Sequence, residues 1–547
     1  MLGIFNKIKN ALKKTIEDQD NTVGDAGEKV LISDSLDKNI DYIKSVFDRC
    51  SDVVVREFKI PAKEAIGASL IYIDGMVDDD LVAESILRSL QLNPAIINDD
   101  KVNKSNAFTM VKERLLSIGE IKTVRDMDSL VEHVLSGQAA LLIDGSAQAI
   151  ISSVRKLESR TVDEPQTEPI VRGPRDGFVE NLRTNVTLVR RRIKSPRLKV
   201  EIIKIGRITQ TDVAVLYIDG LADGEIVKEV KERLGRIEID GVLASGYLEE
   251  FIEDYPNSIF PQVNVSERPD RLCSCLLEGR VGIIVDNTPI CLLVPATFPQ
   301  FLQSPEDYYN RFPYASFTRI LRFGAMHIAL LLPSVYIAVL TFHQEMLPTP
   351  LLISIAGQRE GVPFPAFLEA LMMELVFEIL REAGVRLPRP IGQAVSIVGA
   401  LVIGQAAVSA GLVSSAMVMV VSLTAIASFT IPTISGSYAI RILRFPIMVL
   451  AASFGLFGIM VGLMAILIHV CSMRSFGVPY IAPFAPFSFS DFKDNIIRMP
   501  WWAMINRPSF IGVKDKQRQK LNQMPGPSQD KSNPGGGESG AGKGKGQ

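Results

Sequence analysis

The chain has 547 residues, 59 of them basic and 61 acidic, for a formal net charge of −2 at pH 7. That length exceeds what one hydrophobic core organises, and the balanced charge points to no nucleic-acid partner. The averages conceal two unlike parts: up to about residue 320 charges recur every few positions, whereas from Phe323 to Met473 they are confined to a few short stretches, the composition of membrane spans.

The first residues, MLGIFNKIKNALKK, hold no apolar run ending in a small-residue cleavage site. Ile4, Phe5, Ile8 and Leu12 fall at helical spacing among lysines, which suits either a short basic helix on anionic lipid or a solvated leader, and residues 1–35 are read as flexible. Five cysteines, Cys50, Cys273, Cys275, Cys291 and Cys471, form no disulfide framework. Cys273 and Cys275 make a lone C-x-C without the further ligands of a four-coordinate metal site.

Two stretches then read alike. Ile71–Asp78 (IYIDGMVD) returns as Leu216–Asp223 (LYIDGLAD), and Gly137–Gly145 (GQAALLIDG) returns at nearly the same offset as Gly279–Asn287 (GRVGIIVDN). A helix (Ile40 to Phe47; Val179 to Arg192) and a strand (Val53 to Ile60; Leu198 to Ile205) precede each first match. We therefore expect two duplicated α/β subdomains, residues 36–157 and 178–305, joined by the linker 158–177. Asp-Gly after a β-branched run stops a strand because Gly accepts positive φ, and Asp78 and Asp223 are placed to cap the next helix. The run Arg190, Arg191, Arg192 and Lys194 is either a basic patch for anionic lipid or a partner, or a solvated helix end. No P-loop, dinucleotide fingerprint, H-E-x-x-H or nucleophile elbow is present, so the chain offers no catalytic residues and no cofactor or metal site.

Residues 306–512 are expected to form an all-α polytopic membrane domain with spans at about 323–342, 391–410, 412–430 and 445–471. Arg311, Arg319 and Arg322 before the first span put the front half in the cytoplasm. The ambiguous element is 363–384, helical by period but carrying Glu369, Glu374, Glu378, Arg381 and Glu382. It is expected to lie in the interface or to re-enter, so that four crossings return the tail to the cytoplasm. Glu374, Glu378 and Glu382 share one face, opposite Leu368, Leu371, Leu375 and Ile379. That face suits a wet side with Glu378 paired to Arg381, or, in a ring of subunits, a vestibule or pore that concentrates cations. Ser396, Ala400 and Gly404, and Gly458 with Gly462, have the spacing of close helix packing. His327 and His469 stand near span ends. Residues 474–512, rich in Pro and aromatics, suit a path along the membrane surface, and 513–547 cannot bury enough apolar surface to fold.

Three runs carry a family resemblance: RGPRDGFVENLRTN (Arg172–Asn185), PEDYYNRF (Pro305–Phe312) and the long stretch from Pro363 to Val408 beginning PFPAFLEALMMELVFEILREAG. They resemble the A subunits of GerA-type spore germinant receptors, over about residues 35 to 512. The resemblance implies a multi-pass protein of the spore inner membrane that triggers germination. It also implies a transporter-like B subunit that binds the nutrient, a lipoprotein C subunit, and A subunits that oligomerise into a nutrient-gated ion channel. A non-conducting scaffold and a transporter subunit are the alternatives.

Overall fold

A computed structural model describes residues 29–61, 65–91, 104, 106–112, 121–154, 164–165, 167–386, 402, 404–488, 490–521 and 523–526. The chain divides into two compact units, Met1–Leu157 with Lys194–Pro196, and Glu158–Ile193 with Arg197–Gln547.

The first unit follows its apolar periodicity. Helix α1 (Leu36–Val46) leads into strands β1 (Val53–Ile60) and β2 (Ile66–Ile73), then a helical run α2 (79–91), β3 (Ile121–Val124), α3 (Met127–Leu135), β4 (Ala139–Ile143) and β5 (Ala149–Ser152). The strands pair antiparallel in the order β1-β2-β4-β5-β3. Strand alternation splits the interior into two cores. Ile66, Ala68 and Leu70 join Leu141 and Ile143 under α2, while Ile71 and Ile73 join Ala140 and Leu142 under α1 and α3.

The second unit begins with the same device. Its elements are α4 (Leu182–Arg192), β6 (Leu198–Ile205), β7 (Thr211–Ile218), α5 (Gly224–Gly235), α6 (Ser245–Ile252), β8 (Asn264–Ser266), α7 (Pro269–Leu277), β9 (Val281–Val285) and β10 (Cys291–Val294). The sheet order, β6-β7-β9-β10-β8, matches the first strand for strand. The likeness reaches single side chains. Asn39 clasps the backbone N–H and C=O of Ser33 at 2.9 and 2.7 Å, and Asn185 does the same to Val179 at 2.8 and 2.5 Å. Asp144 accepts from the N–H of Leu36 and Asp286 from that of Leu182. Asp78 and Asp223 each accept backbone N–H bonds as helix caps. The left-handed turn after β4 is made by Gly145 and the one after β9 by Asn287, a residue that tolerates positive φ.

The helical segments that follow include α8 (Phe312–Phe342), α9 (Thr349–Arg359), α10 (Ala366–Arg386), α11 (Ser415–Phe429), and α12 (434–454) and α13 (456–472), the two arms of the helix Ile434–Ser472. Among the described residues two helices, Phe312–Phe342 and Ile434–Ser472, are long and apolar enough to cross a membrane, and Ser415–Phe429 is a shorter apolar helix. The second of the long ones is broken. Gly455 takes φ 61 and ψ −141, and beyond it the chain reverses, so that Gly458 meets the carbonyl of Leu450 and a Cβ on Gly462 would lie 3.1 Å from Leu450 Cδ1. In a straight helix residues 450 and 458 would stand about 12 Å apart along the axis. A stretch that the sequence presents as one span from 445 to 471 is thus the middle of a helical hairpin, because a glycine inside an apolar run leaves no hydropathy signal.

The helices share two ends. At the near end, beside the second sheet, lie the first turns of α8, the Thr433 hydroxyl donating to Phe301 O at 2.8 Å, and Ser472, whose carbonyl accepts from the Tyr255 hydroxyl at 3.0 Å. At the far end Gly455 packs on Phe342 and His343, and Ser414 meets Glu369. After α13, residues 474–521 return to the second sheet instead of leaving it: Ile511 and Val513 enter its core and Arg518 pairs with Glu278 at 2.9 Å. The tail boundary expected at 513 accordingly falls inside a folded segment, held by two β-branched side chains and an arginine in otherwise polar sequence.

Candidate functional site: charges buried among the apolar helices

The sequence expects α10 to turn its carboxylates to water, and the structure turns Glu369 and Glu374 inward. Glu369 and Glu374 are 0% exposed, whereas Leu375 and Ile379 are 48% and 68% exposed. That is the reverse of a water-facing amphipathic helix. Each buried carboxylate finds a partner on another helix. Glu369 accepts from the N–H and hydroxyl of Ser414, both at 2.5 Å, and faces Arg359 Nε at 3.6 Å. Glu374 pairs with Arg444, and Glu378 pairs with Arg441 instead of the expected Arg381. Arg381 donates to the Ser428 hydroxyl at 3.2 Å and lies over the Phe429 ring. Glu382, one turn further, is exposed and pairs with Arg386 at 2.6 Å.

Three side chains on α10, Glu374, Glu378 and Arg381, therefore tie it to α11 and α12 through charge. Sealed charges of this kind are held by each other, since leaving one alone costs several kcal/mol. The pairing is incomplete: Glu369 Oε2, Glu374 Oε1 and Arg444 Nε are buried without a hydrogen-bond partner among the described residues. In an otherwise apolar bundle these atoms mark where water or a cation would gain most.

A second charged cluster closes the near end. Arg319, 3% exposed, donates through Nε to Asp307 at 2.9 Å and through Nη1 to Asp494 Oδ1 at 2.8 Å, as well as to the carbonyls of Asp494 and Asn495. Arg322 holds both oxygens of Asp307, and the Tyr308 hydroxyl donates to Asp494 at 2.9 Å. Burial pushes the Tyr308 hydroxyl far above its usual range, with the Asp494 carboxylate adding to the effect, so Tyr308 stays a donor. Burial works against the Arg319 charge, but Tyr308, Asp494 and Asp307 more than offset it and push the guanidinium up. This cluster joins the start of α8, the short helix Glu306–Tyr309 and the C-terminal return. In the sequence Arg319 and Arg322 serve only as orientation signals. Their spacing with Asp307, inside the run PEDYYNRF, was the available clue, but Asp494 lies far along the chain and no local pattern reveals it.

Of the residues expected to pack helices, Ser396 and Ala400 lie outside the described residues. A Cβ on Gly404 would lie 3.5 Å from Val418, and Gly458 and Gly462 face the α12 arm of their own hairpin. His469 shares a 2.9 Å hydrogen bond with Ser258, and His327 bonds the carbonyl of Phe323 in its own helix at 2.8 Å. Cys273 and Cys275 are buried on α7, and burial pushes the Cys273 thiol up to about 12, which keeps it protonated.

Comparison with known proteins gives a consistent answer. Residues 41–510 match the family model described as Bacillus/Clostridium GerA spore germination protein. Spore germination protein KA of Bacillus subtilis is 48% identical over 91% of this chain and 91% of its own length. Spore germination protein A1 of the same organism is 43% identical over 81% of this chain and 89% of its own. A solved N-terminal domain, from the A subunit of the Bacillus megaterium spore germinant receptor GerK3, is 35% identical, covering 49% of this chain and 98% of that one, with a TM-score of 0.40.

Proposed function

The chain belongs to the Bacillus/Clostridium GerA spore germination family, and from that premise we propose that it is a multi-pass subunit of a nutrient germinant receptor in the spore inner membrane, acting as part of an oligomeric nutrient-gated ion channel. Its partners are a transporter-like B subunit, a lipoprotein C subunit and further copies of itself. The inverted burial of α10 carries the reading. A helix with Glu374 sealed inside and Leu375 and Ile379 outside has the polarity of a segment surrounded by lipid, where every charge must face protein or a water path.

Taken as a crossing, α10 alters the count. The chain leaves the near end in α8, returns in α10, reaches the far end again by Gly411, returns in α11, leaves in α12 and returns in α13. Six crossings put residues 474–521 on the same side as both sheets. With a single span at 445–471, counting α10 as a crossing would make five in all and export Arg474, Lys493, Arg498, Arg507, Lys514 and Lys516; the Gly455 hairpin removes that conflict with the positive-inside tendency. The front half is then cytoplasmic.

In this proposal the Glu369 and Glu374 oxygens that accept no hydrogen bond among the described residues, with the pairs Glu374–Arg444 and Glu378–Arg441, lie beside the path that opens. Nutrient bound to the assembly shifts it toward the open state by its differential affinity for that state. The experiment is reconstitution in bilayers with the B and C partners, recording current on nutrient addition for the native chain and for Glu374→Gln with Glu378→Gln. Cation current that changes in the variant, with assembly intact, supports the proposal. Unchanged current confines these pairs to packing, and absence of current in the native complex removes the channel.

A further inference from the structure

On the second sheet's outer side, helix α6 buries Leu248 and Ile252 and leaves Tyr247 and Phe251, one turn apart, exposed. The surface continues past the helix: Tyr255 and Ile259 in the following loop are also exposed, as is Leu243 before it, and Phe251 is 54% exposed. Solvated loops of a soluble domain do not ordinarily gather three aromatics and two aliphatics into one patch. The position of the patch says what covers it. The Tyr255 hydroxyl donates to the carbonyl of Ser472 at 3.0 Å, and the Ser258 hydroxyl meets His469 Nε2 at 2.9 Å, so this loop is tied to the last turn of α13. In that same arm Met464, Leu467 and Ile468 are exposed. The patch thus continues an apolar helix surface at the level where that helix ends.

We propose that Tyr247, Phe251, Tyr255 and Ile259 form a membrane-docking surface that seats the second subdomain in the headgroup layer of the bilayer; this rests on the membrane reading given above. Tyrosines placed with rings toward acyl chains and hydroxyls toward polar groups suit that layer. The contact is apolar and not a charge attraction, since the charged groups on and just beyond α6 are Glu249, Glu250, Glu253 and Asp254. A bilayer fits better than a second copy because the two hydrogen bonds fix the patch at the end of a lipid-exposed helix arm. Docking would make the subdomain's tilt follow the movement of α13.

The test uses the full-length chain in lipid nanodiscs with Cys471→Ser, an environment-sensitive fluorophore on Phe251→Cys, and quencher lipids labelled near the headgroup. Met464→Cys reports the membrane helix and Lys228→Cys, on α5, reports a solvated site. Expected is quenching at 251 more than about twofold above that at 228, with blue-shifted emission, and quenching at 464 by lipids labelled deeper in the acyl chain. Quenching at 464 with 251 behaving like 228 overturns the docking surface and leaves the membrane reading standing. No quenching at 464 overturns both. Fluorophore self-quenching at 251 that vanishes on dilution with unlabelled chain, without lipid quenching, assigns the patch to a second copy and overturns the proposal.

Discussion

At the level of single residues, the strongest demands come from one glycine, one arginine and one carboxylate. Gly455 combines positive φ with ψ −141, a conformation that L side chains adopt only at a cost of about 1–3 kcal/mol, and its Cβ would fall 2.9 Å from the His343 ring and 3.0 Å from Phe342. Gly455→Ala should lower the midpoint of thermal unfolding in detergent and sharply reduce accumulation in the membrane, whereas Gly324→Ala, where a Cβ meets nothing within 4 Å, should do neither. Arg319→Met leaves the buried Asp307 and the partly buried Asp494 with too little positive charge, a loss of about 3–5 kcal/mol, and Arg319→Lys should recover little because one ammonium cannot span two carboxylates and two carbonyls. Thermal unfolding of the two variants side by side checks the ranking. Glu249 behaves differently: burial, then Glu253 and Glu250, push its carboxyl up to about 7 from a model-peptide value near 4.5. The folded protein therefore holds a proton that the unfolded chain releases, and this support is present below about pH 4.5 and lost as pH rises through about 7. Glu249→Gln should raise the unfolding midpoint at pH 8 and change it little at pH 5.

At the level of elements, what was legible depended on whether a signal was local. The strands Val53–Ile60 and Leu198–Ile205 follow from their β-branched content with partial alternation, and the repeated Asp-Gly turns make the two-fold pattern visible before any sheet is seen. The Asn39 and Asn185 clasps escaped because a buried asparagine looks like any polar residue until its backbone partners are known. The orientation of helix α10 is not legible for a related reason. Its period separates carboxylates from leucines, but period says nothing about which side meets protein, and the deciding partners, Arg441 and Arg444, sit on a helix some sixty to seventy positions away. The hairpin at Gly455 has the sequence signature of a single span because hydropathy averages across a turn. This account makes the pairing on α10 testable: Glu374→Leu should destabilise the fold more than Glu374→Leu with Arg444→Leu, because the single change strands a buried guanidinium and the double change removes both charges. A larger loss in the double variant would show that the pair is not mutually compensating.

At the level of the whole molecule, the two ways of threading the helices differ at places that a water-soluble reagent can reach. Four crossings with an interfacial α10 put Arg386 on the side opposite the second sheet and Leu412 on the same side as it; the six crossings proposed above put Arg386 on the side of the second sheet and Leu412, beside the far-end turn at Gly411, opposite. Both side chains are exposed in the structure, so cysteines there should fold and react. In a Cys471→Ser background, an impermeant maleimide applied to intact protoplasts should label Leu412→Cys at once and Arg386→Cys only after permeabilisation, with Lys228→Cys on α5 serving as the cytoplasmic reference. The same experiment bears on the charge ladder. If Arg386 is inside, then Glu382, Glu378 and Glu374 run from the cytoplasmic surface inward along one helix, with burial increasing at each turn from an exposed pair to a sealed one. On the channel reading proposed above, a cation leaving the spore core would meet that ladder from its solvated end, and opening would require its pairs to exchange partners. The opposite labelling would place the solvated end outside, where it could only receive ions that had already crossed.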